Sequence, residues 1–218
     1  MPHNLVASFF GQKGSGKSTL VREIMLDRER VFFVDTVGEA RAADGFEIVF
    51  GFEPCVNAML AAAKRERFRL ALRCQHTDDM LKLCTMAYEV PRQLTVVEET
   101  SFYCSPSYLP PELSTLIRYG RHREIDQFYV ARRPSEIHRD LTANSDLVVS
   151  FHQHEPRDVA YLRAIGGPQA EAVRALPKYR VLAWGDLERA PLAVISRLDT
   201  ALVAGPVSGV SEQETPPA

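Results

Sequence analysis

The chain has 218 residues, a formal net charge of −2, and hydrophobic and charged fractions of 45% and 25%. These values are typical of one globular α/β domain and exclude a polycation, so any nucleic-acid contact must come from a local basic surface. The four cysteines form no C-x-x-C pair, which indicates free thiols in a reducing compartment. No apolar run approaches the roughly 18 residues of a membrane span, and residues 1–4 lack leader features, so we expect a cytoplasmic protein.

Residues 11–19 lie between a predicted strand and a predicted helix. They read Gly-Gln-Lys-Gly-Ser-Gly-Lys-Ser-Thr, an apolar run at residues 5–10 precedes them, and a helical pattern continues to about residue 27. Strand, glycine-rich loop and helix in this order form a P-loop, or Walker A motif. The glycines admit backbone conformations closed to other residues, and the loop N–H groups and the helix start attract an anion.

The P-loop predicts a ligand and a role for its polar residues. Lys17 is expected to reach the β- and γ-phosphates of a nucleotide, and the Ser18 hydroxyl to coordinate Mg²⁺. The predicted ligands are therefore ATP and Mg²⁺. The predicted nucleotide-binding residues are Gly11, Gln12, Lys13, Gly14, Ser15, Gly16, Lys17, Ser18 and Thr19.

Predicted strands and helices alternate along the rest of the chain. The strands are residues 31–34, 47–50, 68–72, 94–97, 127–131, 147–151 and 179–184; the helices are residues 54–65, 77–89, 113–119, 156–166 and 169–176. Such alternation predicts a three-layer α/β fold with a mostly parallel central sheet. We assign residues 1–203 to a single domain and expect residues 204–218 to form a disordered tail.

Acidic residues follow two of the predicted strands. Glu98 and Glu99 come directly after the buried strand at residues 94–97, which is the Walker B pattern. Glu98 is predicted to hold the Mg²⁺ shell, directly or through water, and Glu99 to polarise the attacking water. Asp35 follows the strand at residues 31–34, and the sequence leaves open whether it faces the nucleotide or the next subunit in the ligand crevice, or caps the next loop.

These motifs, together with an arginine-rich segment, resemble one branch of the P-loop superfamily. Arginines flank a predicted strand in Gly-Arg-His-Arg at residues 120–123 and Ala-Arg-Arg-Pro at residues 131–134. With the P-loop, Val34-Asp35 and the Walker B acids, they make residues 5–151 similar to the HerA–FtsK-type ATPases. Within that branch the chain most resembles viral and phage genome-packaging ATPases and relatives with a Zot-like ATPase domain.

The resemblance implies a RecA-like core with an additional strand, and a motor that moves double-stranded DNA. The implied working form is a homo-oligomeric ring, a hexamer, with one ATP at each interface. A capsid or portal vertex is the implied docking partner, in the host cytoplasm or the virion. Candidates for contacts with the DNA backbone are Lys64, Arg65, Arg67 and Arg139.

The resemblance also assigns roles to arginines and reveals two departures. An arginine from a neighbouring subunit is expected to complete the charge balance, with Arg121 the first candidate before Arg118 and Arg123. Glu98 stands where the family usually has aspartate. Arg132 stands where the family commonly has a glutamine that senses the γ-phosphate, which leaves open whether Arg132 contacts phosphate, a neighbour or DNA.

Other functions remain compatible with the same motifs. One is an ATPase of filamentous-phage assembly, and another is an ATP-gated switch in a signalling or defence complex. A third is a small-molecule kinase. Such an enzyme needs a lid rich in arginine, and the arginines at residues 118–139 resemble one. The aromatic residues Phe102, Tyr103 and Tyr108 are expected to pack within the irregular segment that follows the Walker B acids.

Overall fold

A computed structural model describes residues 4–199, in which eight strands form a single sheet. The sheet order is β3-β4-β2-β5-β6-β1-β7-β8, and every neighbouring pair is parallel except β7–β8. The strands are β1 (Val6–Phe10), β2 (Arg30–Val34), β3 (Glu47–Phe50), β4 (Phe68–Arg73), β5 (Gln93–Val97), β6 (Ile125–Ala131), β7 (Leu147–Ser150) and β8 (Leu182–Gly185). The predicted tail, residues 204–218, lies outside the described residues.

Helices cover both faces of this sheet. They are α1 (Lys17–Leu26), α2 (Phe52–Ala63), α3 (Thr77–Glu89), α4 (Pro111–Tyr119), α5 (Arg139–Ala143), α6 (Pro156–Gly166) and α7 (Leu192–Ile195). Helices α2, α3, α4 and α6 contribute to one buried hydrophobic cluster, and α1 and α7 to the other. The alternation of side chains along β1 divides the strand between the two, since Val6 and Phe10 face the first cluster and Phe9 the second.

The predicted three-layer α/β class is confirmed. A mostly parallel sheet buried on both faces explains why the strands read as continuous apolar runs.

No helix among residues 4–199 combines the length and the apolar character needed to cross a lipid bilayer.

Two elements near the end of the described chain differ from the sequence-based prediction. The helix predicted at residues 169–176 is a 3-10 helix, Pro168–Ala175. Its buried side chains, Ala170 and Val173, are followed by buried Leu176, and this spacing of three matches a 3-10 helix rather than an α-helix. The last strand begins at Leu182 rather than at residue 179, because Tyr179 has a left-handed φ of 68°, which a strand does not allow.

The topology gathers the sequence-predicted residues at one edge of the sheet. β2, β5, β6 and β1 are successive neighbours and run parallel, so the residues that follow them lie together at the carboxyl edge. This edge receives the P-loop after β1, Asp35 after β2, Glu98 after β5 and Arg132 after β6. Ligands of open α/β sheets bind at this edge, in the crevice beyond the strand ends.

Asp35 caps the loop after β2. Its buried carboxylate accepts hydrogen bonds from the backbone N–H groups of Glu39 (2.7 Å) and Ala40 (3.1 Å). Arg73 also donates to it, with its Nη2 2.6 Å away. Of the roles that the sequence left open for Asp35, capping is the one that the structure shows, and the capped loop forms a wall of the site described next.

Candidate nucleotide-binding site

The P-loop turns from β1 into α1 around two glycines with positive φ. Gly14 has a φ of 78° and Gly16 a φ of 101°, values that favour glycine because it lacks a Cβ. The loop is closed by a hydrogen bond from the N–H of Ser15 to the carbonyl of Gln12 (3.1 Å), and α1 begins with a bond from Leu20 N–H to Gly16 O (2.9 Å). The free N–H groups of the first turn of α1 thus face the carboxyl edge of the sheet.

The P-loop lysine meets the first Walker B acid across 81 residues of sequence. Lys17 Nζ lies 3.5 Å from Glu98 Oε1, and only 7% and 2% of the two side chains are exposed. Burial raises the pKa of Glu98, the Lys17 ammonium opposes that rise, and the nearby carboxylates of Glu39 and Glu99 add to it. The cavity therefore holds a carboxylate whose negative charge is only partly compensated within the chain.

The second Walker B acid lies on a strained turn and is held by an arginine. Glu99 has a φ of 46° and a ψ of 51°, the left-handed region that side chains other than glycine rarely adopt. Its Oε1 accepts a hydrogen bond from Arg132 Nε at 2.6 Å. Arg132 follows β6, the neighbour of β5 in the sheet. This contact places its guanidinium beside Glu99. Contact of Arg132 with phosphate, with a neighbouring subunit or with DNA, the roles that the sequence left open, stays a prediction.

Hydrogen bonds from three sides fix the turn that carries both acids. The Thr36 hydroxyl donates to the carbonyl of Glu98 (2.7 Å) and lies 2.7 Å from the Tyr103 hydroxyl. Thr100 closes the turn onto β5 through the carbonyl of Val97 (2.9 Å) and accepts the N–H of Val130 on β6 (3.1 Å). The backbone of the acidic pair is therefore tied to β2, β5 and β6 at once.

These groups enclose a cavity of about 360 Å³. Its lining residues are Gly11, Gln12, Lys13, Gly14, Gly16, Lys17, Ser18, Thr19, Val37, Glu39, Glu98, Glu99 and Arg132. All were named as site residues from the sequence except Val37 and Glu39, which lie on the loop capped by Asp35. No local motif marks Glu39, because only the pairing of β2 with β5 brings its loop beside Glu98.

The donors in this cavity suit a magnesium ion bound together with phosphate. Mg²⁺ takes oxygen ligands, keeps several waters, and usually needs only one or two carboxylates. Among residues 4–199, Glu98 offers a buried carboxylate with a single cationic partner at 3.5 Å, and Ser18 offers a hydroxyl from the first turn of α1. The raised pKa of Glu98 is the expected property of a carboxylate that a bound cation would stabilise in its ionised form.

The arginines of residues 118–123 lie at the opposite edge of the sheet. Arg121 belongs to a 3-10 turn, Gly120–Arg123, that precedes β6, so the length of that strand, about 20 Å, separates it from the cavity of the same chain. Arg118 binds Asp140 (2.9 Å) and Arg123 binds Glu89 (3.3 Å). Within residues 4–199, the exposed Arg121 makes no ion pair or side-chain hydrogen bond.

The other basic and aromatic candidates divide between the two edges. Arg65 and Arg67, which precede β4 at the amino edge, pair with Glu47 (3.0 Å) and Glu29 (3.4 Å). Arg139 begins α5, between β6 and β7. Tyr103 is buried as expected, but the packing predicted for two other aromatics is wrong: Phe102 is 61% exposed and Tyr108 58% exposed. Phe102 ends a short 3-10 helix, Thr100–Phe102, and Tyr108 lies on a turn closed by a bridge between Ser105 and Tyr108.

Solved structures with this fold include viral genome-packaging enzymes. The genome-packaging NTPase B204 of Sulfolobus turreted icosahedral virus 2, in complex with AMP, superimposes with a TM-score of 0.69 at 14% identity, covering 87% of this chain and 96% of that one. B204 of Sulfolobus turreted icosahedral virus, a DNA-packaging ATPase, gives a TM-score of 0.69 at 16% identity and the same coverages. The N-terminal domain of zonular occludens toxin from Neisseria meningitidis gives 0.45 at 16% identity, covering 70% and 78%.

The chain therefore has the fold of P-loop ATPases, and its structural neighbours belong to the class that its motifs resemble. By sequence, no family model and no curated protein matches the chain. At 14–16% identity the likeness establishes the fold, and the residues of the cavity carry the argument for function.

We expect the Glu98→Gln variant to gain stability relative to the unsubstituted chain as the pH rises. Burial raises the pKa of Glu98 in the folded state. The folded chain then holds a proton that the unfolded chain has released, so Glu98 lowers the free energy of unfolding as the pH climbs above about 4.3. Glutamine carries no charge and removes this dependence. Urea denaturation without nucleotide or metal, at several values between about pH 4 and pH 7, measures the effect.

The matched control is Glu53→Gln, at an exposed glutamate on α2. Its unfolding free energy should follow that of the unsubstituted chain across the same range. Parallel pH profiles for Glu98→Gln and the unsubstituted chain would contradict the prediction.

Proposed function

We propose that the chain binds and hydrolyses ATP in the cavity at the carboxyl edge of the sheet. The observation that carries the proposal is the meeting of the P-loop with the Walker B acids, in which Lys17 lies 3.5 Å from Glu98. A structural ion pair would not also require a glycine-rich loop and a second carboxylate on a strained turn. Together these groups supply what phosphoryl transfer needs, which is positioning and neutralisation of charge.

Each residue of the cavity has a role in this reaction. Lys17 and the N–H groups of the P-loop bind the phosphates, while Ser18 and Glu98 would hold Mg²⁺, which neutralises charge on the transferred phosphoryl group. Glu99 orients and polarises the attacking water. Arg132 positions Glu99 through the 2.6 Å bond to its carboxylate. Arg132 thus stands where the resembled family commonly has a phosphate-sensing glutamine, and it contacts Glu99.

We expect Glu99→Gln to bind ATP and fail to hydrolyse it. The amide keeps the size of the side chain but cannot accept a proton, and loss of a general base typically lowers kcat by about 10²–10⁴-fold. Glu53→Gln serves as the control because Glu53 is exposed and outside the cavity. The measurements are steady-state release of phosphate and equilibrium binding of ATP. Normal turnover by Glu99→Gln would show that another group activates the water.

We further propose that ATP hydrolysis moves double-stranded DNA, most directly during packaging of a viral genome. The shared fold with B204, a genome-packaging NTPase, supports this choice over the switch and kinase functions. So does the guanidinium of Arg121, which is unpaired within residues 4–199 and would be available to a neighbouring subunit. The working form is a homo-oligomeric ring, taken as a hexamer, that docks at a capsid or portal vertex in the host cytoplasm or the virion.

The test of this function is the ATPase rate with and without double-stranded DNA, together with the particle mass in solution. A motor predicts a ring of about six chains and turnover that rises when DNA is added. The rise should weaken with salt, because contacts to the DNA backbone release counterions. Binding of ATP without DNA-stimulated turnover would favour the switch, and ADP formation only with an added acceptor would favour the kinase.

We expect Arg121→Ala to lose ATP turnover and to recover part of it in mixed rings. The strand β6 separates Arg121 from its own cavity, so it can act only on the nucleotide of a neighbour. An arginine acting in trans typically contributes about 10³–10⁵-fold in rate. Mixing Arg121→Ala with Lys17→Ala chains creates interfaces with one intact cavity and one intact arginine, and phosphate release measures the recovery.

The matched control is Arg163→Ala, at an exposed arginine on α6 that pairs with Glu171. It should retain full turnover alone. Failure of the mixture to exceed the sum of its components would leave Arg121 without a role in trans.

A further inference from the structure

A second cleft lies beside the P-loop, on the side away from the Walker B acids. Its volume is about 240 Å³, and residues 12–15 of the P-loop form one wall. Residues 176–179 form the other wall, and Phe151 and His152, which follow β7, complete it. Because Gln12, Lys13 and Gly14 line both spaces, this cleft adjoins the cavity of the proposed ATPase site across the P-loop.

We propose that this cleft binds the nucleobase of the nucleotide, with the ring of Tyr179 as its stacking surface. The inference rests on the proposed function, since it takes the triphosphate to lie in the adjoining cavity.

The order of the strands indicates in which direction the bound nucleotide would extend from the cavity. The acids follow β5, the P-loop follows β1, and Phe151 follows β7, on the far side of β1. A triphosphate whose γ-phosphate faces Glu99 therefore points its nucleoside toward the β7 side.

Tyr179 is held against the P-loop by its backbone and by its contacts. Its φ of 68° is left-handed, a conformation that a bulky residue keeps only where the surroundings impose it. A Cβ built on Gly16 would lie 2.8 Å from the Cδ1 atom of the Tyr179 ring, so the ring lies directly on the glycine that precedes α1. The loop is closed by a hydrogen bond from Arg180 N–H to Pro177 O (3.2 Å).

The exposed surface of Tyr179 has the properties of a stacking platform. The residue is 53% exposed although it lies in a concave part of the surface. The Lys178 ammonium lies over the ring, 4.8 Å from its centroid, and covers one π-face of the ring. An exposed cation–π contact is weak, and a flat heterocycle can take its place.

The other walls of the cleft match an apolar ring. Leu176 and Pro177 flank the tyrosine, and Phe151 lies at the floor of the cleft near Gly16. Stacking on an aromatic side chain tolerates every base, because each base has a π-face. The observations therefore indicate that the ligand is a nucleobase bound by stacking and apolar contact. They do not select adenine through hydrogen bonds to its edge.

The experiment compares binding of Mg²⁺–ATPγS with binding of Mg²⁺–tripolyphosphate, which has no base, by titration calorimetry on the full chain. Tyr179→Ala should weaken binding of ATPγS by about 5- to 100-fold and leave binding of tripolyphosphate unchanged. Tyr179→Phe should keep the affinity for ATPγS. The control Tyr108→Ala removes an equally exposed tyrosine that lies outside both clefts, and should change neither.

Two outcomes would overturn the base site while leaving the proposed ATPase intact. One is unchanged affinity of Tyr179→Ala for ATPγS. The other is an equal loss of affinity for both ligands, which would make Tyr179 a support for the P-loop. If the unsubstituted chain bound neither ligand, the proposed ATPase itself would fail together with the base site.

A fluorescent variant tests the same contact without removing the ring. The chain has one tryptophan, Trp184. In Tyr179→Trp, stacking predicts that ATPγS quenches the added indole beyond any change seen in the unsubstituted chain, whereas tripolyphosphate does not. Quenching by ATPγS that does not exceed the change in the unsubstituted chain would exclude stacking at this position.

Discussion

The burial of opposite charges between the P-loop and the end of β5 is the constraint on which the site depends. Lys17 and Glu98 are both nearly inaccessible, yet their closest atoms are 3.5 Å apart and burial still raises the pKa of Glu98. Buried charges stabilise a fold only when geometry and additional hydrogen bonds offset their desolvation. This pair does not meet that standard for stability alone, but it suits a cavity in which an anionic phosphate and a divalent cation would lie beside the two charges.

The surrounding chain is built to hold that unfavourable arrangement in place. Asp35 and Arg73 fix the loop after β2, and Thr36 on the same loop anchors the carbonyl of Glu98. The strained backbone of Glu99 is countered by hydrogen bonds of the turn and by Arg132. Strain concentrated at one functional residue and balanced by its neighbours is the usual sign of a preorganised site. The order β2-β5-β6-β1 makes this possible, because it places all four supporting segments side by side.

Features whose residues are contiguous in the sequence could be predicted, whereas contacts between residues far apart along the chain could not. The P-loop and the two Walker B acids were identifiable because each motif is contiguous and follows an apolar strand. Glu39 and Tyr179 carry no local signal, and their positions depend on strand order and on a left-handed residue that shortens β8. The bond between Arg132 and Glu99 likewise required knowing that β5 and β6 are neighbours. The 3-10 helix at Pro168–Ala175 was missed because spacings of three and four residues are hard to separate over eight residues.

The two edges of the sheet divide the proposed chemistry between chains. The cavity lies at the carboxyl edge, whereas Arg121 lies at the amino edge with its guanidinium unpaired among the described residues. A parallel strand keeps these edges apart by its full length, so no side-chain rearrangement within one chain can join them. If Arg121 completes the charge balance at the phosphate, the amino edge of one subunit must face the carboxyl edge of the next. Such a head-to-tail contact is heterologous, and a heterologous contact that closes generates a ring.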